Sequence, residues 1–311
     1  MIATVTLNPS IDEVFEVRDL SASDSSRALR ITKSAAGKGV NVSKFLIRLG
    51  AAARTFTLLG GVMGKEYERL AALEKLTLHA RWVKEDTRVN VTIDDFKSGR
   101  EIRVLAPGPC AGLADARKLQ RMALAARPKP FALVLSGSLP PGLDKGTYAE
   151  WVRASRRNGV RCLVDADGEA FRLAVRARPW AVKPNHFELA GLFRTHFRTE
   201  KRIIHSALSL VAERGIEIAA VSLERRGVLV VSRAEKPFFV RPPYVKVHSR
   251  VGAGDAFVAG LLRGLELGKP LAEAARLGAG TSSARVAGIE NAFGMNARRL
   301  AARSRVEWAK A

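Results

Sequence analysis

The sequence predicts an α/β protein with a mostly parallel β-sheet covered by helices on both faces. Short apolar segments rich in β-branched residues alternate with segments whose apolar residues recur every three or four positions, over most of the 311 residues. Hydrophobic residues make up 47% of the chain, which is enough for a large core. Because ligands of such sheets bind beyond the carboxyl ends of the strands, we expect the functional residues at that edge.

The elements follow one another along the whole chain. Predicted strands are residues 2–7, 55–59, 132–136, 161–165, 181–183, 219–222 and 228–232. Predicted helices are residues 40–49, 145–158 and 199–214, each followed by a glycine that can end a helix, and residues 293–311 are predicted as a terminal helix with a frayed basic end. No internal repeat or low-complexity linker interrupts this order, so we expect a single domain over residues 1–311.

Two segments break the alternation. Residues 13–32 and 87–105 contain short alternating patterns and turns but no helical pattern. We expect these two insertions to pair with each other as a small antiparallel sheet. A sheet of that kind has an exposed face, so it should cover the functional site, a partner subunit, or both.

The formal net charge is +22. Such a charge favours anionic partners, namely nucleic acid, a membrane surface or phosphorylated small molecules. The cations are spread over many segments without interleaved aromatic residues, a helix-turn-helix or a zinc finger, so a solvated basic surface is the simpler interpretation. We therefore predict no nucleic-acid partner.

Cysteine usage and hydropathy bear on the compartment. Cys110 and Cys162 are the two cysteines, far apart and without metal-ligand spacing, which argues against a disulfide framework and favours a reducing cytoplasm. The first residues lack the basic region of a secretory signal. No apolar run approaches the ~18–20 residues of a membrane span, so no membrane partner is predicted.

The segment Val251-Gly252-Ala253-Gly254-Asp255 precedes an apolar helical pattern. Its two glycines allow a tight turn close to a ligand, and the amides at the start of the following helix form a site for an anion. A carboxylate in an anion site makes sense if Asp255 accepts a proton from an attacking hydroxyl. When this segment is considered alone, a structural role for Asp255, as a first-turn Asp beside a glycine turn, explains the pattern equally well.

A second segment follows a predicted strand. Lys183 is followed by Asn185 and Glu188, three residues apart, whose oxygens could serve Mg²⁺. A capping pair, in which Asn185 caps a helix and Glu188 returns the hydrogen bond, explains the same spacing and is favoured when the segment is considered alone.

Other segments are consistent with an anionic sugar site. Gly37 and Gly39 flank Lys38 at the start of a helix, where a phosphate could bind, although the spacing of a Walker A loop is absent. Ser138 lies in a turn after an apolar strand, and Arg88 lies in the second insertion. Each has a plain alternative: a flexible turn, or a surface cation.

Together and in this order, these segments resemble the ribokinase-like sugar kinases of the phosphofructokinase B type, over essentially the whole chain. The opening Thr6-Leu7-Asn8-Pro9-Ser10-Ile11-Asp12 resembles the phosphosugar branch, which holds 1-phosphofructokinases, tagatose-6-phosphate kinases and a minor type of 6-phosphofructokinase. So do the segments around Lys38, Arg88 and Ser138. The resemblance implies a three-layer α/β/α fold whose insertions, residues 12–33 and 87–106, form a small β-sheet lid that also mediates homodimerisation.

The resemblance also implies roles for individual residues. Asp255 is implied as the catalytic base, with Gly252, Ala253 and Gly254 as an anion hole for the transferring phosphoryl group. Sugar-site positions are Asp12, Gly37, Lys38, Asn41, Arg88, Asn90 and Ser138, with Arg27 a weaker candidate. Nucleotide-side positions are Lys183, Asn185, Glu188, Ser222, Glu224, Gly227, Ser282 and Asn291, of which Asn185 and Glu188 are linked to Mg²⁺.

The implied reaction is ATP-dependent phosphorylation of a hexose phosphate, with fructose 1-phosphate to fructose 1,6-bisphosphate as the first expectation. Tagatose 6-phosphate and fructose 6-phosphate are alternatives, as is an unphosphorylated sugar or nucleoside. A different class, a nucleic-acid-binding protein on a kinase scaffold, has only the +22 charge in its favour. One departure from the family is Glu224, which stands where members usually carry glycine.

Overall fold

The computed structural model describes residues 1–20 and 24–309. The strands are β1 (Ile2–Thr6), β2 (Ser10–Val17), β3 (Ala28–Ala36), β4 (Ala53–Gly60), β5 (Leu78–Val83), β6 (Arg88–Asp95), β7 (Arg100–Val104), β8 (Ala132–Ser136), β9 (Arg161–Asp165), β10 (Ala181–Val182), β11 (Ile218–Ser222), β12 (Val228–Ser232), β13 (Phe238–Arg241) and β14 (Arg305–Trp308). The helices are α1 (Lys38–Arg48), α2 (Gly61–Leu73), α3 (Leu113–Leu124), α4 (Thr147–Arg157), α5 (Gly168–Arg176), α6 (His186–Phe193), α7 (Glu200–Ala212), α8 (Ala253–Glu266), α9 (Leu271–Val286) and α10 (Phe293–Arg303), with a 3-10 turn at Glu224–Arg226. None of the described helices combines the length and the apolar character needed to cross a membrane.

Ten of the described strands form the main sheet, in the order β14-β13-β12-β11-β10-β9-β8-β1-β4-β5. Pairing is parallel from β11 through to β5 and antiparallel from β11 to β14. The predicted mostly parallel sheet is confirmed. Three strands that the sequence did not predict, β5, β13 and β14, lie at or near the two edges of the sheet.

The core lies on both faces of the main sheet. Along β1, Ala3 and Val5 point into one apolar cluster while Ile2 points into the other, as the period of two in a strand requires. Helices α3 to α7 contribute to the first cluster, and α1, α8, α9 and α10 contribute to the second. These three layers confirm the predicted arrangement of helices on both faces.

The remaining described strands form the small sheet, in the order β3-β2-β6-β7. Its outer pairs are antiparallel, but the two insertions pair with each other through β2 and β6, which run parallel. The expectation of an antiparallel sheet was therefore wrong at its centre. The reason is that β2 and β6 both leave the carboxyl edge of the main sheet and run outward, and each returns by its own hairpin.

The small sheet extends slightly beyond the predicted insertions, since β2 begins at Ser10 and β3 ends at Ala36. Within the first insertion, residues 21–23 lie outside the described residues.

The terminal helix ends earlier than predicted. Helix α10 stops at Arg303, and β14 then pairs antiparallel with β13 at the edge of the main sheet. The expectation of a helix over residues 293–311 was wrong after residue 303, and residues 310 and 311 lie outside the described part. Trp308 packs edge-on against Phe238, with ring centroids 5.4 Å apart, so cross-strand packing favours the extended conformation over the local helical pattern.

Close packing between α8 and α9 fixes the helix that carries Asp255. A Cβ atom on Gly260 would lie 2.6 Å from the Leu277 carbonyl oxygen, and one on Gly264 would lie 2.6 Å from Ala274 Cα. Glycine at both positions lets the two helix backbones approach to a distance that no larger side chain permits. The start of α8 is thereby held against the carboxyl edge of the main sheet.

Candidate active site

The candidate site lies where the carboxyl ends of the central parallel strands meet the first turns of α1 and α8. Asp255 is 5% exposed and stands in the first turn of α8. Asn41 Nδ2, from α1, donates a hydrogen bond of 2.9 Å to Asp255 Oδ2. Two segments that are more than 200 residues apart in the sequence are therefore joined directly at the predicted base.

The glycine turn before α8 has the conformation that the sequence suggested. Gly252 caps the helix with a φ of 79°, in the left-handed region that favours glycine. The Ala253 amide already donates to the Arg250 carbonyl at 3.2 Å. In the described part of the chain, the amides of Gly254 and Asp255 have no such acceptor, as is usual in the first turn of a helix. These two donors, together with the positive end of the helix dipole, can bind an anion.

The environment of Asp255 adjusts its acidity. Burial, and after it the nearby carboxylate of Asp165, raise the pKa of Asp255 to about 6. The Asn41 hydrogen bond and two neighbouring ammonium groups oppose this increase. A carboxylate with a pKa near 6 is ionised at neutral pH and is still basic enough to accept a proton in a transition state.

Two lysines and one carboxylate complete the centre. Lys38 Nζ lies 3.7 Å from one carboxylate oxygen of Asp165, and Lys183 Nζ lies 3.3 Å from the other. The Asp165 carboxylate raises the pKa of Lys38, against the opposing effect of burial, so this ammonium stays charged. A Cβ on Gly254 would lie 3.3 Å from Lys183 Nζ, which places the glycine turn in contact with that cation.

Sequence reasoning missed Asp165. It is the last residue of β9, 2% exposed, and it holds both lysines beside Asp255. The available signal was a charged residue that ends an otherwise apolar strand, since the carboxyl ends of parallel strands form the ligand-binding edge.

The loop before α1 places Lys38. Gly37 has a φ of 130°, and a Cβ there would lie 2.6 Å from Thr6 Cγ2 at the end of β1. The Thr6 hydroxyl accepts a hydrogen bond of 3.1 Å from the Val40 amide. Glycine at position 37 therefore allows α1 to begin directly against β1, with Lys38 at the edge where the strands end.

Asp12 and Asn90 face each other across β2 and β6 in the small sheet. Asn90 Nδ2 donates to Asp12 Oδ1 at 2.9 Å, and the Asn90 side-chain oxygen accepts from the Ala106 amide at 3.1 Å. Ser10 also donates to Asp12, at 2.8 Å. These bonds hold the Asp12 carboxylate in one orientation near the base of the small sheet.

Arg88 is bound mainly to backbone. Its guanidinium donates to the carbonyl oxygens of Asn8, Pro9 and Ala106 at 2.9, 3.3 and 2.8 Å. A guanidinium has five N–H donors, so two remain for another acceptor. Arg88 thus fastens the base of the small sheet to the end of β1, in addition to any part in ligand binding.

Ser138 is joined to the same region through Asn8, a second residue that sequence reasoning did not single out. Asn8 Nδ2 donates to Ser138 Oγ at 3.3 Å and to the Pro107 carbonyl at 2.9 Å. A Cβ on Gly137, which precedes Ser138, would lie 3.8 Å from Lys38 Cβ. The Ser138 loop therefore lies directly beside the start of α1.

Arg27 is not brought to this centre within one chain. It is exposed and directly precedes β3, whose nine residues lead away from Gly37. At ~3.3 Å per residue, the two ends of this strand are about 30 Å apart.

Asn185 and Glu188 form a capping box at the start of α6. The Asn185 side chain accepts from the Glu188 amide at 2.8 Å, and Glu188 Oε2 accepts from the Asn185 amide at 2.8 Å. This is the capping arrangement that was the alternative to a metal site. Burial, the largest influence, raises the pKa of Glu188. Among the described residues, no group of three or more His, Cys, Asp or Glu side chains is arranged to hold a metal ion.

The capping box still suits one kind of cation. The second carboxylate oxygen of Glu188 makes no hydrogen bond with the described residues. Mg²⁺ usually keeps several waters and takes only one or two protein oxygens beside substrate phosphates. Asn185 and Glu188 therefore fit an Mg²⁺ ion that accompanies a nucleotide.

The remaining predicted positions lie around the end of β11 and along α9. Ser222 ends β11 and bridges to Asn185, while Glu224 and Gly227 shape the turn that follows. Ser282 is half-buried in α9, and Asn291 is exposed between α9 and α10. Arg285, one turn beyond Ser282, comes close to Gly252, at 3.5 Å from a Cβ built on that glycine.

Glu224 adopts a left-handed backbone conformation, with a φ of 54°. This explains why glycine suits the position, because a side chain in this region costs about 1–2 kcal/mol. We expect Glu224→Gly to raise the free energy of unfolding by about 0.5–1 kcal/mol after the entropy of the added glycine is subtracted. Urea denaturation measures this change. Glu224→Ala removes the carboxylate but keeps the Cβ, so an equal gain in that variant would contradict the backbone explanation.

Comparison with known proteins gives consistent matches over nearly the whole chain. A family model described as pfkB family carbohydrate kinase matches residues 5–294. The chain is 34% identical to a 1-phosphofructokinase of Bacillus subtilis strain 168, over 91% of this chain and 92% of that protein. It is 30% identical to a tagatose-6-phosphate kinase of Staphylococcus epidermidis, over 85% of each.

A solved structure agrees with these matches. The crystal structure of phosphofructokinase-2 from Escherichia coli in complex with fructose-6-phosphate superposes with a TM-score of 0.90 at 28% identity, and the match covers 97% of this chain and 98% of that one.

Proposed function

Because the chain belongs to the pfkB family of carbohydrate kinases, we propose that it transfers the γ-phosphoryl group of ATP to a hydroxyl of a hexose phosphate, namely fructose 1-phosphate, giving fructose 1,6-bisphosphate. The enzyme would act in the cytoplasm, as the two free cysteines suggest. The observation that carries the proposal is the buried Asp255 carboxylate, held by Asn41 in a glycine turn beside two ammonium groups.

Each part of this arrangement has a task in phosphoryl transfer. The Asp255 carboxylate accepts the proton of the attacking hydroxyl, and Asn41 keeps the carboxylate oriented. The turn Gly252-Ala253-Gly254 holds the transferring phosphoryl group through the first amides of α8. The ammonium groups of Lys38 and Lys183 offset its negative charge. Such a reaction asks the protein mainly for positioning and charge stabilisation.

The nucleotide would lie along the end of β11. Its phosphates would approach Lys183 and the capping box, and the remainder would follow the turn from Ser222 to Gly227, including Glu224. Ser282 and Asn291 are proposed to border the adenine. Mg²⁺ beside Asn185 and Glu188 would neutralise phosphate charge.

The sugar phosphate would lie between the start of α1 and the base of the small sheet. The Asp12 carboxylate, held by Asn90, would accept hydrogen bonds from sugar hydroxyls. Ser138 and Asn41 would accept hydrogen bonds from hydroxyls at neighbouring positions of the sugar. The two donors of Arg88 that are not used by backbone carbonyls are available to the substrate phosphate. The names of the matched relatives support fructose 1-phosphate, with tagatose 6-phosphate and fructose 6-phosphate as the alternatives.

A coupled ADP-release assay tests the substrate. With ATP and Mg²⁺ present, we expect the highest kcat/KM for fructose 1-phosphate among fructose 1-phosphate, fructose 6-phosphate and tagatose 6-phosphate. Ribose and adenosine serve as unphosphorylated controls and should give little ADP. A preference for either control would contradict a phosphosugar substrate, and a preference for another hexose phosphate would reassign it.

We also propose that the small sheet is a lid and that a second copy of the chain covers its outer face. A row of side chains crosses this face through directly paired positions, Ile31, Phe15, Ile93 and Ile102. Ile31 is 52% exposed and Ile102 is 42% exposed. An apolar sheet face of this kind is typical of an interface. Arg27, at the far end of β3, would reach a sugar site only through such a second copy.

Ile102→Asp is therefore expected to convert a dimer into a monomer, because it places a charge at the exposed β7 end of the apolar row. Light scattering after size-exclusion chromatography measures the mass. Arg103→Asp, on the neighbouring residue and the opposite face of β7, is the control and should leave the dimer intact. A wild-type monomer, or equal dissociation of both variants, would rule out this interface.

A further inference from the structure

A cavity lies between α3 and α4, on the outside of the helical layer. It has a volume of about 290 Å³ and is lined by Arg117, Gln120, Glu150, Arg153 and Arg157. None of these residues belongs to the candidate active site, which lies at the carboxyl edge of the main sheet. The chemistry of its lining has no role in the proposed reaction.

The lining carries more positive charge than it neutralises. Arg117 is paired with Glu150, but at 3.4–3.5 Å, which is long for a charge-assisted bond. Within the described ranges, Arg153 and Arg157 form no ion pair and no hydrogen bond with protein groups, although they project from the same helix one turn apart. Three guanidinium groups thus face one carboxylate around a single cavity.

A buried amide lies beside the same cavity. Gln120 Nε2 is inaccessible to solvent and has no hydrogen-bond acceptor in the described part of the chain. Leaving such a group without a partner costs about 1–3 kcal/mol. If position 120 served only to pack the two helices together, an apolar residue would be favoured at that position. The arginines offer donors to the cavity as they stand, and an anion bound there would satisfy the Gln120 amide once that side chain turns towards it.

The guanidinium groups indicate a phosphate as the acceptor. Guanidinium groups bind phosphate in a planar, two-point geometry, and several of them around one site favour a multiply charged anion. The cavity is open to solvent on one side, and its volume of about 290 Å³ leaves room for a phosphate group with a small attached body. We propose that this cavity is a second anion site that binds the phosphate group of a small phosphorylated molecule or free phosphate.

Two double variants with equal charge test the site. Arg153→Gln with Arg157→Gln removes two lining cations. Arg121→Gln with Arg156→Gln removes two cations from the same helices that do not line the cavity. Isothermal titration with inorganic phosphate, and in parallel with AMP, should show one binding event that disappears only in the first pair. Any phosphate bound at the active site is common to all proteins compared.

The two probes distinguish the sources. Tighter binding of AMP would indicate a nucleotide-like ester, and tighter binding of inorganic phosphate would indicate the free anion. Either result supports the site. Identical isotherms for the two double variants would overturn the proposal. An equal loss of binding in both would assign phosphate binding to the overall charge of +22. No loss in either would show that the cavity does not bind the probes.

Gln120→Leu provides a measurement that does not change charge. Without phosphate, the variant should melt at the same temperature as the wild type or higher, because the unpartnered amide is gone. With phosphate, the wild type should gain more in melting temperature, and the variant should bind phosphate about tenfold more weakly. Equal affinity and equal gain in melting temperature in both proteins would contradict the role of Gln120.

Discussion

Asp255→Asn is expected to lower turnover by a factor of roughly 10²–10⁴, because the variant retains the shape of the residue but loses the proton acceptor. ATP binding should remain close to normal, since the first-turn amides of α8 and the neighbouring lysines are unchanged. Steady-state kinetics together with nucleotide titration measures both quantities. Turnover near that of the wild type would remove Asp255 from the role of catalytic base.

The same variant should be more stable than the wild type at neutral pH. The pKa of Asp255 is raised from 3.8 to about 6 in the folded protein, so its ionisation opposes folding. The stabilisation that the protonated form provides is complete below pH ~4 and is lost as the pH rises through 6. In Asp255→Asn this loss is absent, which corresponds to about 2–3 kcal/mol at pH 7.

The stability measurement separates a catalytic loss from a folding defect. Urea denaturation at pH 4 and at pH 7 gives the required comparison. The advantage of Asp255→Asn should be small at the lower pH and largest at the higher one. An inactive variant that is also less stable at pH 7 would indicate misfolding instead of a missing base.

Asp165→Asn is expected to have the second largest effect. It leaves Lys183, which is 7% exposed, without its counter-ion, and breaking a buried pair of this kind costs about 3 kcal/mol. The free energy of unfolding, from urea denaturation at neutral pH, measures this loss. Lys38 loses the same partner, but it is half-exposed and can be solvated, so it should add little to the loss of stability.

Catalysis should respond to the same substitution through Asp255. The Asp165 carboxylate is the second largest contribution to the raised pKa of Asp255, so its removal lowers that pKa. The acidic limb of the kcat/KM profile, expected near pH 6 in the wild type, should therefore move to lower pH. Asp167→Asn is a matched control, because Asp167 is exposed and lies two residues further along the chain, directly before α5. An unchanged acidic limb in Asp165→Asn would contradict the electrostatic link.

Short segments of the sequence predict part of the site and most of the fold. The glycine turn at residues 252–255 and the Gly37-Lys38-Gly39 segment are local patterns that each allow an anion site, and their order along the chain is what favoured that interpretation. The alternation of apolar periods likewise predicts the layered fold, because burial of one face of each element is a local requirement. The edge strands β5 and β14 escaped prediction because strands at the edge of a sheet need less apolar character.

The direction in which the strands of the small sheet pair does not follow from the local sequence pattern. Alternating residues in both insertions predicted strands and their pairing, but not that β2 and β6 run parallel. That direction depends on where the main sheet releases each segment. The same holds for the C-terminus, where pairing with β13 overrides a helical pattern.

The sequence by itself determined the class of fold and the family, and it singled out Asp255 as the proposed base, since each is encoded in short segments whose order is preserved. Only the tertiary structure decided the environment of that base. Asp165, Lys38 and Lys183 come from three separate elements, and the pKa of Asp255 depends on their distances and on burial. Electrostatic interactions act through space, so no pattern along the chain could reveal them.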